Sequence, residues 1–211
     1  MQKNLTKKGI RIALPKGRMS DETITYLHQK GLIETTELPQ NRKLIFKDPK
    51  NSLEFLLVRS KDVGTYVEQG ACDLGIIGFD LLTEHDFDVY IPMTLPYGEC
   101  ELCIAYPVGR GDWKAKKNVK IATKYSRLTS RYFFEKGFNA QIIELYGSIE
   151  IAPLTGIADA IVDLVSTGKT LQENNLTRGE TILKSSARLI VNRASYAFKQ
   201  DEIRTILDAL K

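Results

Sequence analysis

Short apolar runs of strand length alternate with amphipathic stretches of helix length along most of this 211-residue chain. The run IRIALP at 10–15 precedes a helical pattern that starts at polar residues and stops at Gly31. The same order returns at CDLGIIG (72–78), VKIATKY (119–125) and AIVDLV (160–165). This alternation predicts an α/β fold with largely parallel sheets.

Other segments complete the predicted elements. In the second half of the chain they are a helix over LTGIADA (154–160), one long strand over ETILKSSARLIVN (180–192) and a terminal amphipathic helix over DEIRTILDAL (201–210). In the first half, strand patterns on both sides of Asp48-Pro49-Lys50-Asn51 predict a hairpin.

Two nine-residue segments, 73–81 and 163–171, share the pattern D-L-x-x-x-G-x-x-L. One copy falls in each half of the alternation. Two similar α/β lobes, whose strands deliver glycine-containing loops to a shared cleft, would place the copies in this way.

Composition is that of a globular chain, with 43% hydrophobic and 27% charged residues. The net charge of +4 suits anionic small molecules as readily as nucleic acid. The basic run KAKKNVK (114–120) lacks interleaved aromatic residues and lies between two strand patterns. It therefore favours a solvated loop over a nucleic-acid surface.

The first apolar stretch is short and is interrupted by Arg11, which favours a strand over a signal peptide. No segment approaches the roughly 20 apolar residues of a membrane span. We therefore expect a cytoplasmic protein that does not enter a membrane. Cys100 and Cys103 form a C-x-x-C in an extended pattern, where residues three apart point to opposite faces. They are not expected to share a metal or a disulfide.

The segment DLVSTGKTL (163–171) ends in the GKT of a nucleotide-binding P-loop, but Asp163 stands where such a loop has its first glycine. This spacing argues against a P-loop ATPase. The order of strand, STGKT loop and helix still suits a phosphate, because N–H groups of the loop and of the first helical turn point outward. The hydroxyl groups of Ser166, Thr167 and Thr170 would add donors.

Two aspartates, Asp159 and Asp163, precede this loop. Carboxylates beside a phosphate repel it unless they bind something else, such as ribose hydroxyls or a magnesium ion. The alternative is an ordinary helix-capping loop with two solvated aspartates.

Cationic residues follow two other predicted strands. Lys16, Gly17 and Arg18 come after the first strand, and Arg59 and Lys61 come after the third. Parallel sheets bind ligands at the carboxyl ends of their strands, so these groups are expected to form a basic edge. A phosphate loop together with such an edge predicts a substrate with two separate phosphate sites.

The segments IALPKGR (12–18), VKIATKYSRLTSRYFFEKG (119–137) and especially GSIEIAPLTGIADAIVDLVSTGKTLQENNL (147–176) closely resemble the ATP phosphoribosyltransferase family. The resemblance runs from about Ile10 to the C-terminal region. It implies a two-lobed fold like the type II periplasmic binding proteins, with the active site in the cleft between the lobes. Residues 1–96 with 186–211 would form the first lobe, and residues 97–185 the second, which carries the STGKT loop.

The resemblance also implies the reaction of ATP with phosphoribosyl pyrophosphate, with Mg²⁺, in the first step of histidine biosynthesis. The residues it assigns to phosphoribosyl pyrophosphate are Asp159, Asp163, Ser166, Thr167, Gly168, Lys169 and Thr170. Those it assigns to ATP are Lys16, Gly17, Tyr97 and Glu150. Lys16, Arg18 and Arg59 would stabilise the departing pyrophosphate.

The chain resembles the short form of the family. Short forms need a regulatory subunit similar to histidyl-tRNA synthetase, which implies a catalytic homodimer within a hetero-octamer. Gly64 and Ser126 depart from the family pattern, which usually has proline at both positions, and both bear on loop stiffness rather than on chemistry. The rival hypotheses are a solute-binding protein of the same shape, a free-base phosphoribosyltransferase and a catalytically silent subunit.

Overall fold

The computed structural model describes residues 9–38, 43–50 and 53–211. The chain divides into two compact units, one made of the described residues up to Gly98 together with Ser186–Lys211, and the other of Glu99–Ser185. The sequence-based prediction ends the first segment of this lobe at residue 96, two residues before Gly98. Within the described ranges, no helix is both long and apolar enough to cross a membrane.

The first unit is built on a mixed sheet, and strands and helices are numbered here in chain order. Its described strands are β1 (Ile10–Pro15), β2 (Ile45–Lys47), β3 (Leu53–Val58), β4 (Leu74–Gly78), β5 (Tyr90–Thr94) and β11 (Ala187–Val191). They lie in the order β2-β3-β1-β4-β11-β5. β1 pairs in parallel with β3 and β4, while β2 and β11 run antiparallel to their neighbours. The prediction of largely parallel sheets is therefore corrected to mixed sheets.

Helices cover both faces of this sheet, which is why its central strands are almost continuously apolar. The helices are α1 (Arg18–Gln29), α2 (Val63–Glu68), α3 (Phe79–His85), α6 (Arg193–Phe198) and α7 (Gln200–Leu210). Residues of α1 and α7 pack with Ile12 and Leu14 of β1 in one buried cluster. Residues of α2 and α3 pack with Ala13 of β1 in another.

The second unit, whose residues are all described, holds a five-stranded sheet in the order β10-β6-β9-β7-β8. Its strands are β6 (Cys100–Pro107), β7 (Val119–Thr123), β8 (Ala140–Glu144), β9 (Ala160–Val165) and β10 (Leu176–Ser185), and its helices are α4 (Ser126–Glu135) and α5 (Lys169–Glu173). β7, β8 and β9 are parallel, while β6 is antiparallel to β9 and β10. Cys100 and Cys103 lie in β6, and neither forms a disulfide within the described residues.

Two element predictions for the second half are wrong. LTGIADA is not a helix, because the chain turns after a 3-10 turn at Ile149–Ile151 until β9 begins. Pro153 lacks an N–H to donate, and Gly156 has a φ of 76°, outside the helical region. The predicted long strand ends at Ser185 and resumes at Ala187, because its two parts pair with different sheets, β10 with β6 and β11 with β4.

The hairpin predicted in the first half is present, since β2 and β3 pair antiparallel around Asp48, Pro49 and Lys50. Asn51, which the prediction included in the turn, lies outside the described residues. Asp48 holds the base of this hairpin by accepting hydrogen bonds at 2.9 Å from the N–H groups of Glu34 and Thr35. Burial alone would raise the pKa of Asp48, but these bonds lower it below its ordinary value.

Gly64 fits this chain because Phe87 occupies the space where a side chain would go. A Cβ on Gly64 would lie 2.2 Å from the Phe87 ring. We expect Gly64→Ala to lower the free energy of unfolding by about 1–3 kcal/mol, the usual cost of overpacking. In a Phe87→Ala background the same change should raise it by about 0.5–1 kcal/mol, because alanine suits a helix better than glycine. Urea unfolding of the four variants measures both effects, and equal effects in the two backgrounds would contradict the contact.

Candidate active site

Lys16 and Arg59 lie side by side at the carboxyl edge of the first sheet. β1 ends at Pro15 and β3 ends at Val58, and these two residues are partners in the parallel register. The pairing continues for one more step, because the N–H of Lys16 donates to the carbonyl oxygen of Val58 at 2.9 Å. The two cationic residues therefore begin neighbouring loops at the edge where parallel sheets bind ligands.

The charges of this edge are only partly compensated within the first unit. Arg18 Nε lies 3.4 Å from a carboxylate oxygen of Glu22, one helical turn further on. Lys16 and Arg59 are exposed, and within the described part of the chain neither side chain forms an ion pair or a hydrogen bond. Two adjacent uncompensated cations favour an anionic ligand.

Gly17 keeps the backbone of this edge open. Its φ is 102°, a conformation that L side chains rarely adopt, and no atom lies within 4 Å of where its Cβ would stand. Gly17 precedes α1. The Gly17 carbonyl oxygen accepts hydrogen bonds from the N–H of Ser20 at 2.9 Å and from the Ser20 hydroxyl at 2.6 Å. A ligand can therefore approach the chain closely between Lys16 and Arg18.

The STGKT loop lies at the carboxyl end of β9 in the second unit. Gly168 adopts the left-handed conformation, with φ 78° and ψ 0°, and leads directly into α5. The side chains of Ser166, Thr167, Lys169 and Thr170 are exposed. The loop thus presents hydroxyls and an ammonium group at the surface, which are donors that a phosphate needs. The N–H of Lys169 donates to Thr167 Oγ1 at 3.4 Å, and Lys169 Nζ lies 3.8 Å from Glu173 Oε1.

The two aspartates before the loop lie at opposite ends of β9. Asp163 is inside the strand near its carboxyl end, and its Oδ1 accepts the N–H of Leu164 at 2.8 Å. Asp159 comes before the strand begins, where it is bound by Lys116 Nζ at 2.5 Å and by the N–H of Lys120 at 2.9 Å. At roughly 3.3 Å per residue the strand separates Asp159 from the loop by about 20 Å. The structure brings only Asp163 to the loop's end of the sheet.

Local contacts also fix the charge of Asp159. Burial alone would raise the pKa of Asp159, but the hydrogen bonds from Lys116 and from the backbone of Lys120 lower it below its ordinary value. Asp159 is thus an ionised anchor that joins the start of β9 to the start of β7 and to the segment before it.

The residues predicted from the resemblance to bind ATP are spread over both units. Tyr97 lies in the first unit, where its hydroxyl donates to Thr23 Oγ1 at 3.0 Å and its ring centroid is 5.5 Å from that of Tyr26. Burial raises the pKa of Tyr97, so the phenol stays neutral. Glu150 lies in the second unit, half-buried in the 3-10 turn at Ile149–Ile151.

Sequence reasoning missed one charged group of the second unit. Lys124 follows β7 directly, and its Nζ lies 3.2 Å from Asp163 Oδ1. Like Lys16 and Arg59, Lys124 follows the end of a predicted strand, VKIATKY, whose final Lys-Tyr leaves the sheet at the same edge as the STGKT loop.

Comparison with known proteins gives a consistent result. A family model described as HisG, ATP phosphoribosyltransferase, matches residues 59–211. A protein of Geobacter sulfurreducens named ATP phosphoribosyltransferase 2 is 45% identical over 205 residues, covering 96% of this chain and 97% of that protein. An ATP phosphoribosyltransferase of Bacillus cytotoxicus is 46% identical over 204 residues, covering 97% of each.

Among solved structures, the ATP phosphoribosyl transferase (HisG:HisZ) complex from Thermotoga maritima contains a chain with a TM-score of 0.80 and 34% identity, covering 95% of this chain and 96% of that one. This likeness confirms the predicted α/β, two-lobed, periplasmic-binding-protein-like fold class, and the neighbour fits the short form. The comparisons do not favour a solute-binding protein or a free-base phosphoribosyltransferase. The chain therefore belongs to the ATP phosphoribosyltransferase family.

Proposed function

We propose that this chain joins ATP to phosphoribosyl pyrophosphate, forming N1-(5-phosphoribosyl)-ATP and pyrophosphate in the first step of histidine biosynthesis. The observation that carries the proposal is a pair of strand edges, each with groups suited to an anion, in a chain of this family. One edge presents the uncompensated cations Lys16 and Arg59, and the other presents the STGKT loop.

The STGKT loop is the proposed site of the donor's 5-phosphate. Ser166, Thr167 and Thr170 supply hydroxyls on exposed residues, and Gly168 lets the backbone approach the phosphate closely. Of the two aspartates predicted to bind the donor, the position of Asp163 supports contact with ribose hydroxyls, whereas Asp159 is engaged at the other end of β9.

Lys16 and Arg59, with Arg18 beside them, are proposed to bind the pyrophosphate. This group carries more charge than a phosphate monoester, and guanidinium and ammonium groups are suited to bind it. Binding of ATP by Lys16, Gly17, Tyr97 and Glu150 stays a prediction. Tyr97 would contribute its ring rather than its hydroxyl, because the hydroxyl is already bound to Thr23.

The chemistry needs positioning and charge stabilisation more than an activated nucleophile. The lone pair of adenine N1 forms the new bond to the anomeric carbon, while the bond from that carbon to the pyrophosphate oxygen breaks and its electrons leave with pyrophosphate. Positive charge develops on the sugar and negative charge on the leaving group. The Lys16 and Arg59 edge would stabilise the leaving group, and the loop would hold the sugar in line with N1.

Magnesium is the proposed metal. Mg²⁺ keeps several waters and is usually held by one or two carboxylates together with substrate phosphates. Residues 9–38, 43–50 and 53–211 contain no group of three His, Cys, Asp or Glu that could hold a metal. This donor set fits an ion carried mainly on the substrate's phosphates, where it would neutralise their charge.

A regulatory partner like the second component of the Thermotoga maritima complex is part of the proposal. The catalytic homodimer, the hetero-octamer and the cytoplasmic location stay predictions. Size measurement of the purified chain, alone and mixed with a HisZ-type subunit, tests the stoichiometry.

A direct assay tests the function. The purified chain is mixed with ATP, phosphoribosyl pyrophosphate and Mg²⁺, with and without a HisZ-type subunit, and pyrophosphate release and the ultraviolet absorbance of the adduct are followed. Parallel reactions replace ATP with free adenine. Product from ATP supports the proposal. Product from free adenine alone, or no product in either reaction, contradicts it.

Replacing Gly168 by alanine is expected to raise the KM for phosphoribosyl pyrophosphate about tenfold. An L residue in the left-handed conformation costs roughly 1–2 kcal/mol, and the loop would relax away from the phosphate to relieve it. Gly137→Ala is the matched control, because Gly137 has a φ of 73° after α4, and a Cβ would cause no clash at either position. Both variants should lose similar stability, and an equal rise in KM for both would contradict a phosphate role for Gly168.

A further inference from the structure

Lys124 is placed beside Asp163 by the register of the second sheet. Thr123, the last residue of β7, is the parallel partner of Val162 in β9. The next residue on each strand, Lys124 and Asp163, therefore falls at the same level, and both side chains lie on the same face. Their charged groups meet, with Nζ 3.2 Å from Oδ1.

The surroundings of this pair fix its geometry. The side chains of Lys124 and Asp163 are 39% and 17% exposed, so water screens them less than a fully exposed pair. Lys124 Nζ also lies 5.3 Å from the centroid of the Tyr125 ring, which is buried. The N–H of Leu164 donates to the same Oδ1 at 2.8 Å. Lys124 Nζ and the N–H of Leu164 therefore both contact Oδ1 of Asp163. Its Oδ2 accepts no hydrogen bond from the described residues.

This arrangement resolves the electrostatic conflict at the STGKT loop. A carboxylate near a bound phosphate repels it, and Asp163 is three residues before Ser166. The ammonium group of Lys124 beside the Asp163 carboxylate offsets that repulsion. It also orients the carboxylate so that Oδ2 can accept hydrogen bonds from ribose hydroxyls.

We infer that Lys124 is a positioning residue for the phosphoribosyl donor, acting through Asp163. It orients the carboxylate that binds the ribose hydroxyls and neutralises its charge beside the 5-phosphate. The inference rests on the proposed function, which supplies the sugar phosphate as the ligand of this edge.

The chain contains a matched control for this pair. Lys116 and Asp159 form another lysine–aspartate pair, with Nζ 2.5 Å from Oδ1 and a similarly half-exposed lysine, at the opposite end of β9. Lys124→Gln and Lys116→Gln remove the same charge from the same sheet, and only the first lies at the loop's edge.

Direct binding of ribose 5-phosphate, measured by calorimetry, tests the inference apart from turnover. Lys124→Gln is expected to weaken binding about tenfold, the loss typical of one charge-assisted hydrogen bond. Lys124→Arg should restore most of the affinity, and Lys116→Gln should leave it unchanged. In the ATP assay, Lys124→Gln should raise the KM for phosphoribosyl pyrophosphate more than it lowers kcat.

The double variant separates action through Asp163 from direct contact with phosphate. In an Asp163→Asn background, Lys124→Gln should have little further effect on binding. A full tenfold loss in that background, or equal losses for Lys124→Gln and Lys116→Gln, would overturn the inference. Thermal unfolding checks that each variant is folded. If Lys124→Gln is not folded, Lys124→Met, which keeps the apolar part of the side chain, is measured in its place.

Failure of the inference differs visibly from failure of the proposed function. If the wild-type chain makes no adduct from ATP, the function fails. If the wild-type chain makes adduct while the binding of ribose 5-phosphate is insensitive to Lys124→Gln, only the role of Lys124 fails.

Discussion

Replacing Arg59 by alanine is expected to lower kcat about a hundredfold or more, the usual loss when one preorganised donor to developing charge is removed. In barrier height this is roughly 2.7–4 kcal/mol. The free energy of unfolding should hardly change, because the Arg59 side chain is exposed and has no ion pair within the described residues.

The size of this effect follows from what Arg59 is free to do. An arginine engaged in a local ion pair must give up that contact to bind a leaving group, whereas Arg59 can bind pyrophosphate without such a loss. Arg59→Lys keeps the charge but loses the planar donor pair that matches a phosphate, so it should fall between wild type and alanine.

Arg11 provides the control for a simple loss of charge. It lies on β1 at the amino end of the same sheet, where its Nε is 2.6 Å from Glu54. Arg11→Ala removes the same group from the same unit and should leave kcat within about twofold, since an exposed ion pair contributes little. Steady-state kinetics of the three variants decide the matter. Near-normal turnover of a folded Arg59→Ala would remove Arg59 from the mechanism.

The position of Lys16 beside Arg59 could be predicted from the sequence, because it depends only on two parallel strands that end at the same edge of the sheet. The separation of Asp159 from Asp163 could be predicted as well, because the predicted strand over 160–165 coincides with β9 and puts Asp159 before its start and Asp163 near its carboxyl end. The contact between Asp163 and Lys124 could not, because it depends on β9 lying beside β7, and a local pattern does not contain that pairing.

Local signals failed where two of them conflicted. The apolar residues of LTGIADA have helical spacing, but Pro153 before the segment and Gly156 within it favour a turn, and the turn prevails. Gly64 is a different case, since the space for a side chain at this position is occupied by Phe87, more than twenty residues further along the chain. The sequence contains both residues but not their contact.

The internal match D-L-x-x-x-G-x-x-L predicted an equivalence that the structure only partly bears out. In both copies the glycine precedes a helix, since Gly78 comes before α3 and Gly168 before α5. The aspartates differ. Asp73 precedes β4 and is buried at the amino end of its strand, whereas Asp163 lies inside β9 near the loop. One pattern therefore serves stability in the first unit and ligand binding, as we propose, in the second.

Asp73→Ala is accordingly expected to lower the free energy of unfolding by about 3 kcal/mol, the low end of the range for breaking a buried ion pair. The carboxylate accepts hydrogen bonds from the N–H of Arg11 at 2.9 Å, from Ser195 Oγ at 2.7 Å and from Lys199 Nζ at 2.9 Å. Its side chain is only 8% exposed, while that of Lys199 is 24% exposed and regains some hydration in the variant.

Urea unfolding of three variants distinguishes this anchor from an ordinary polar contact. Ser195→Ala removes one neutral partner and should cost about 1 kcal/mol. Asp163→Ala should cost less than Asp73→Ala, because Asp163 is more exposed and its ion pair is open to water on one side. Equal losses for Asp73→Ala and Asp163→Ala would mean that the two copies of the pattern have the same structural role. A larger loss for Asp73 is expected because its carboxylate ties β1, β4 and the C-terminal helices to one another.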